Sequence, residues 1–240
     1  VKDFLREDVL TNAAKLAAVA TLAVAPNMVD SYFLSPGYRE IILGKATPAS
    51  LPFLFAGDLI LVFVSLMVSA ACGFAWSDGK KVVGFGTQAA LRKDFKTVLI
   101  LGLILAVTTA LLLDIGFVKR FRILYPQNPL VSLTIPLRTA FYEEVICRFG
   151  ILMIVFRLTG SVPTAIILSS LFNTAIGLKS AVFVGFPLGL DWLTARIVLA
   201  KMMVAVFFGY FYSKKGLMAT IALRFIMELK HVILPFMPSG

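Results

Sequence analysis

The feature that most limits what this chain can fold into is its succession of long apolar runs. Between Pro52 and Trp76 the only charge is Asp58, and comparable runs recur through most of the sequence. About 20 predominantly apolar residues suffice for a helix to cross a bilayer. In lipid only helices and closed barrels satisfy their own backbone hydrogen bonds, and runs this continuous lack the alternation of barrel strands. The expected fold class is all-α: a polytopic transmembrane helical bundle. Composition agrees, with 59% of the 240 residues hydrophobic and 15% charged, against about 25% charged in soluble domains.

Proline, glycine and charge divide the chain into about seven expected spans. The first covers 9–24, is interrupted by Asn12 and Lys15, and is broken by Pro26. The others cover 52–76, 98–117, 130–156, 164–178, 193–212 and 217–234. Pro136 is expected to start or kink its helix, and Lys214-Lys215-Gly216 to turn the sixth span into the seventh. Pro36-Gly37 and Pro48 mark a loop over 26–50, and Gly84-Phe85-Gly86 reads as a turn because no strand and no third glycine accompany it. Residues 1–129 supply N-terminal helices and basic loops, and 130–240 a core, within a single membrane domain.

The net charge of +10 sits mainly in loops, where it sets topology and meets lipid headgroups. No basic stripe is interleaved with stacking aromatics, so nucleic acid is excluded as a partner. Membrane lipids are the expected partners, in a bacterial inner membrane or an equivalent organelle membrane. Cys72 and Cys147 lie in apolar runs and read as small buried hydrophobes. Val1-Lys2-Asp3-Phe4 carries no signal-peptide pattern.

Chemistry concentrates in one place. Phe141-Tyr142-Glu143-Glu144-Val145-Ile146-Cys147-Arg148 puts three charges inside an apolar span. Each unpaired charge at a helix centre costs about 2.5–3.5 kcal/mol on insertion scales. Such residues either do chemistry or pair into a buried network. On an α-helix Glu143 and Glu144 diverge by about 100°, and Glu144 and Arg148 are four apart in the favourable order. That spacing gives Glu144 to Arg148 and leaves Glu143 facing a cavity, where a desolvated carboxylate can act as general base on water. The competing reading is a structural ion cluster.

This EExxxR segment, with Gly150 two residues on, resembles motif one of the CPBP family, the CAAX-prenyl-protease and bacteriocin-processing (Abi-type) intramembrane peptidases. Ser169-Ser170-Leu171-Phe172 resembles the start of the family's FxxxH motif. The passage from Phe208 to Ala219 resembles its penultimate helix and turn. The resemblance covers roughly 130–235 and implies a CAAX-protease-like core with Glu143, Glu144 and Arg148 as its catalytic motif. In the family, Glu143 and a motif-two histidine would activate water, and a motif-three histidine and asparagine would hold the oxyanion. Counting from Phe172, the motif-two histidine falls on Ile176, and the motif-three pair falls on Arg224 and Glu228. Isoleucine neither accepts a proton nor ligates a metal, and the amide of nearby Asn173 is a poor base.

His231, the single histidine, lies seven residues beyond Arg224 and is expected near the membrane edge. Without a histidine pair no zinc-peptidase signature exists, so neither metal nor other cofactor is expected. Arg148 and Arg224 facing Glu143, Glu144 and Glu228 would nearly cancel charge. The reading is a catalytically degenerate family member acting as a scaffold or accessory subunit beside other membrane-protein subunits. The first alternative is a glutamate-dependent CAAX-type endopeptidase acting on a hydrophobic or prenylated peptide. The second is a transporter or lipid-handling protein, hinted at by Asp58 and Asp114.

Overall fold

The computed structural model describes residues 6–34, 50–77, 81–114, 129–183 and 192–234. These form helices α1 (Glu7–Val29), α2 (Leu51–Trp76) and α3 (Gln88–Thr109), and a short α4 (Pro129–Ser132). The central helix α5 runs over 134–159 as three continuous stretches: α-helical Thr134–Arg138, π-helical Thr139–Leu152 and α-helical Met153–Thr159. Then come α6 (Val162–Phe183), α7 (Trp192–Glu228) and a final turn α8 (Lys230–Ile233). Among the described residues there is no strand, and the protein is an all-α integral membrane protein. Four stretches are long and apolar enough to cross a bilayer: Glu7–Leu34, Leu51–Trp76, Gln88–Leu112 and Thr194–Ile233. Large apolar side chains such as Phe53, Leu22 and Leu111 are exposed, the surface expected where lipid replaces water. Pro36-Gly37, Pro48, the basic run at 119–122 and Pro235 lie outside the described residues.

The fourth of those stretches is two limbs. In a straight helix Phe208 and Arg224 would stand about 24 Å apart along the axis, yet the Arg224 guanidinium lies over the Phe208 ring at 5.1 Å. The fold-back occurs at Gly216, with φ 80° and ψ 176°, a region open essentially to glycine alone. Phe208 and Phe211 of the first limb thereby pack with Ala219, Leu223 and Met227 of the second. The first N–H groups after the turn are orphans of a helix start. The loop before α3 satisfies them: Leu217 N–H donates to the Gly84 carbonyl at 2.8 Å and Met218 N–H to the Phe85 carbonyl at 3.1 Å. Lys215 adds an ion pair with Asp94 at 2.9 Å. A Cβ at Gly216 would approach Gly86 N to 2.9 Å and the Gly84 carbonyl oxygen to 3.0 Å, both backbone atoms. Gly216→Ala should therefore cost about 1–3 kcal/mol from the dihedral alone, read as a lowered unfolding midpoint in detergent.

Two expected boundaries are corrected. Pro26 does not end the first span: α1 passes through it and continues as a π-helical turn, Asp30–Leu34. In membrane helices a proline is accommodated by neighbouring helices and local π adjustment. The third span begins not at 98 but at Gln88, because the Thr87 side chain caps it by accepting from Ala90 N–H at 3.2 Å. The added turns carry Arg92, Lys93 and Lys96 on a helix where a basic loop was expected.

α5 is the axis of the bundle and touches α1, α2, α6 and α7. One apolar cluster joins Val9, Ala13 and Ala17 of α1, Leu66 and Ala70 of α2, and Val145 and Phe149 of α5. Gly150 lets α5 lie directly on α2, since a Cβ there would meet the Ser69 Cβ at 2.6 Å and Cα at 3.0 Å. Overpacking of that kind typically costs about 1–3 kcal/mol. Gly150→Ala is expected to show that loss in equilibrium unfolding, and an unchanged midpoint would contradict the close approach.

Candidate functional site

The charged residues of α5 sit on its π-helical stretch. The i→i+5 register of a π-helix turns successive side chains by less than the 100° of an α-helix. Glu143 and Glu144 thus diverge less than an α-helical reading predicts, and each pairs with a different arginine. π-Helical turns are rare and recur at functional sites.

Glu144 and Arg148 are wholly inside the bundle, at 0% and 1% side-chain exposure. Arg148 Nε lies 3.4 Å from Glu144 Oε2, and its Nη2 donates to the Ala205 carbonyl of α7 at 3.3 Å. Asn173 of α6, its amide oxygen turned toward the guanidinium, accepts from Nη1 at 2.6 Å and Nη2 at 3.2 Å. Arg148 therefore ties α5 to α6 and α7. Neither carboxylate oxygen of Glu144 accepts a hydrogen bond, so the arginine's charge is its compensation.

Glu143, expected to face a cavity, is paired through one carboxylate oxygen with an arginine of α7. Its Oε2 accepts from Arg224 Nη2 at 2.8 Å. Arg224 Nε also lies 3.1 Å from Glu228 Oε1, one turn on, and Glu228 Oε2 lies 2.9 Å from His231 Nε2. The chain Glu143–Arg224–Glu228–His231 links α5 to the second limb of α7 and to α8. Beside it Lys230 Nζ donates to Thr109 Oγ1, bringing in the end of α3. His231, two turns beyond Arg224 on nearly the same face, is buried against Glu228. The signal was present in the i, i+3 spacing of Glu228 and His231.

Phe172 and Ile176 do not join this network. They lie on the outer face of α6, 46% and 42% exposed. The residues that α6 turns inward are Ser169, Ser170 and Thr174, which are buried, together with Asn173. One position beyond Ile176, a Cβ at Gly177 would stand 3.1 Å from the Lys201 ammonium of α7. The inward phase of α6 is thus offset from the one that counting from Phe172 implies. The reason is physical: in lipid the polar and small residues Ser169, Ser170, Asn173 and Thr174 turn inward, and large apolar ones such as Phe172 and Ile176 face outward.

Asp58 of α2 accepts from the Tyr32 hydroxyl, away from the charged network. The side chain of Asp114 lies outside the described residues.

Comparison with known protein families gives one match. A family model described as "Rce1-like: Type II CAAX prenyl endopeptidase Rce1-like" matches residues 125–229. The matched span holds Glu143, Glu144, Arg148, Phe172, Ile176, Arg224 and Glu228, and stops two residues short of His231. No curated protein and no solved structure matches the chain. The protein is accordingly an all-α membrane protein that is similar over residues 125–229 to the Rce1-like type II CAAX prenyl endopeptidases.

Proposed function

We propose that this protein is a CAAX-protease-like membrane scaffold in which the acidic motif serves as a structural clamp. The observation that carries the reading is the position of Arg224. Its guanidinium hydrogen-bonds Glu143 Oε2 at 2.8 Å and is ion-paired with Glu228 at 3.1 Å, engaging the carboxylate that a peptidase would present to water. A general base must reach the proton it abstracts, and a carboxylate held by a guanidinium is a weaker base. No histidine stands on α6 to assist it, and His231 is engaged with Glu228. In this role the protein acts as an accessory subunit, its lipid-facing helices offering surface to other membrane-protein subunits.

One observation favours a second reading. Glu143 keeps 34% side-chain exposure, against 0% for Glu144, so a glutamate-dependent cleavage of a hydrophobic or prenylated peptide is the alternative. The two are separated by incubating the purified chain in lipid nanodiscs with a prenylated CAAX peptide, beside Glu143→Gln. The clamp predicts no cleavage above that of the variant. Cleavage that falls by about 10²–10⁴-fold in Glu143→Gln, the usual worth of a general base, would establish the peptidase.

A further inference from the structure

On the other flank of α5, away from the charged network, a cleft of about 410 Å³ opens between α1, α2 and α5. Its lining mixes apolar Val24, Met28, Leu61 and Val62 with polar Asn27, Ser31 and Ser65 and with Tyr32, Asp58, Arg138 and Tyr142. Asp58 accepts from the Tyr32 hydroxyl through one carboxylate oxygen, Oδ2. Arg138 is exposed, lines the cleft and makes no hydrogen bond or ion pair among the described residues. An anion and a cation thus face one cleft without pairing to each other. Asp58 stands seven residues into α2 and Arg138 at the end of the first turns of α5. Seven residues are about 10 Å of helix, so Asp58 lies within the apolar stretch Leu51–Trp76 rather than at its end.

An uncompensated charge at that depth is costly, and two charges of opposite sign set apart call for a ligand that carries both. We propose that this cleft binds a zwitterionic phospholipid bearing a primary amine. Its phosphate accepts from the Arg138 fork, where two parallel N–H groups match phosphate oxygens. Its ammonium donates to the free Oδ1 of Asp58, and Tyr142 adds a hydroxyl beside the phosphate. The start of an acyl chain lies along Val24, Met28, Leu61 and Val62. These apolar residues select a lipid over a soluble headgroup. The acceptor at Asp58 selects a primary ammonium, with N–H groups to donate, over a quaternary one. This inference uses none of the residues of the Glu143–Arg224 network, so it stands or falls apart from the clamp.

The test is lipid retention by the purified full chain, read by native mass spectrometry. The protein is exchanged into an equimolar mixture of phosphatidylethanolamine, phosphatidylcholine and phosphatidylglycerol with identical acyl chains. Phosphatidylethanolamine should be retained roughly tenfold over each of the others, the worth of one charge-assisted hydrogen bond. Asp58→Asn keeps an acceptor for Tyr32 and should abolish the discrimination against phosphatidylcholine. Arg138→Gln removes a side chain with no partner among the described residues, and should lower total retention roughly tenfold. Equal retention of the three lipids, a preference for phosphatidylglycerol, or unaltered discrimination in Asp58→Asn would each overturn the proposal. So would displacement by glycerophosphoethanolamine at equal concentration, which would assign the site to a soluble headgroup, or displacement by a hydrophobic peptide.

Discussion

Arg148→Met is expected to lower the stability of the bundle by about 3–5 kcal/mol, the general cost of breaking a buried ion pair from one side. The magnitude follows from what is left behind. Glu144 is wholly buried and accepts no hydrogen bond, so the variant leaves a bare carboxylate in an apolar core. The Ala205 carbonyl and the Asn173 amide also lose their donors, and with them go the ties from α5 to α6 and α7. Desolvation also predicts how the loss is repaired. Replacing both partners by apolar residues of similar volume is often neutral or stabilising, so Glu144→Leu with Arg148→Met should recover most of the single-variant loss. Reversible unfolding in mixed micelles checks both. A single variant as stable as wild type would show that the pair carries no structural weight.

Arg224→Met is expected to have an effect of similar size, but divided unequally. Arg224 holds two carboxylates, and they differ in access to water: Glu228 has 7% side-chain exposure and Glu143 34%. The loss should be dominated by Glu228, because an exposed carboxylate rehydrates at little cost. A total of roughly 3–5 kcal/mol is anticipated. A double-mutant cycle separates the halves. Glu228→Gln in the Arg224→Met background should show a coupling of about 1–3 kcal/mol, and Glu143→Gln a smaller one. Arg224 also rests on the Phe208 ring at 5.1 Å, a contact worth about 0.5–1 kcal/mol at an exposed site and more when desolvated. Phe208→Leu should therefore weaken the fold modestly while leaving the ion pairs in place.

The sequence announced whatever depended on local chemistry. Continuous apolar runs dictated helices in lipid, Gly216 next to two lysines dictated the fold-back, and Glu144 four residues before Arg148 dictated their pairing. What it concealed depended on distant packing. Pro26 looked like a break because the neighbours that accommodate it come from elsewhere in the chain. The π register of Thr139–Leu152 left no mark in the order of residues, yet it alters how Glu143 and Glu144 diverge. The face of α6 was missed because the count ran from Phe172, whereas the polar residues Ser169, Ser170, Asn173 and Thr174 mark the inner side and leave Phe172 and Ile176 on the outer one. The role of Arg224 was legible only through the resemblance, which put it opposite Glu143.

The central claim is that Glu143 belongs to a clamp, and the sign of a stability change tests it most directly. Residues poised for catalysis are held against stability, so their neutralisation commonly leaves a protein as stable or more stable. A clamp behaves oppositely. Unfolding of Glu143→Gln beside wild type, in the same micelles, should therefore show a loss of about 1 kcal/mol, the worth of a charged hydrogen bond discounted for partial exposure. An unchanged or raised stability in Glu143→Gln would contradict the clamp and return Glu143 to chemistry.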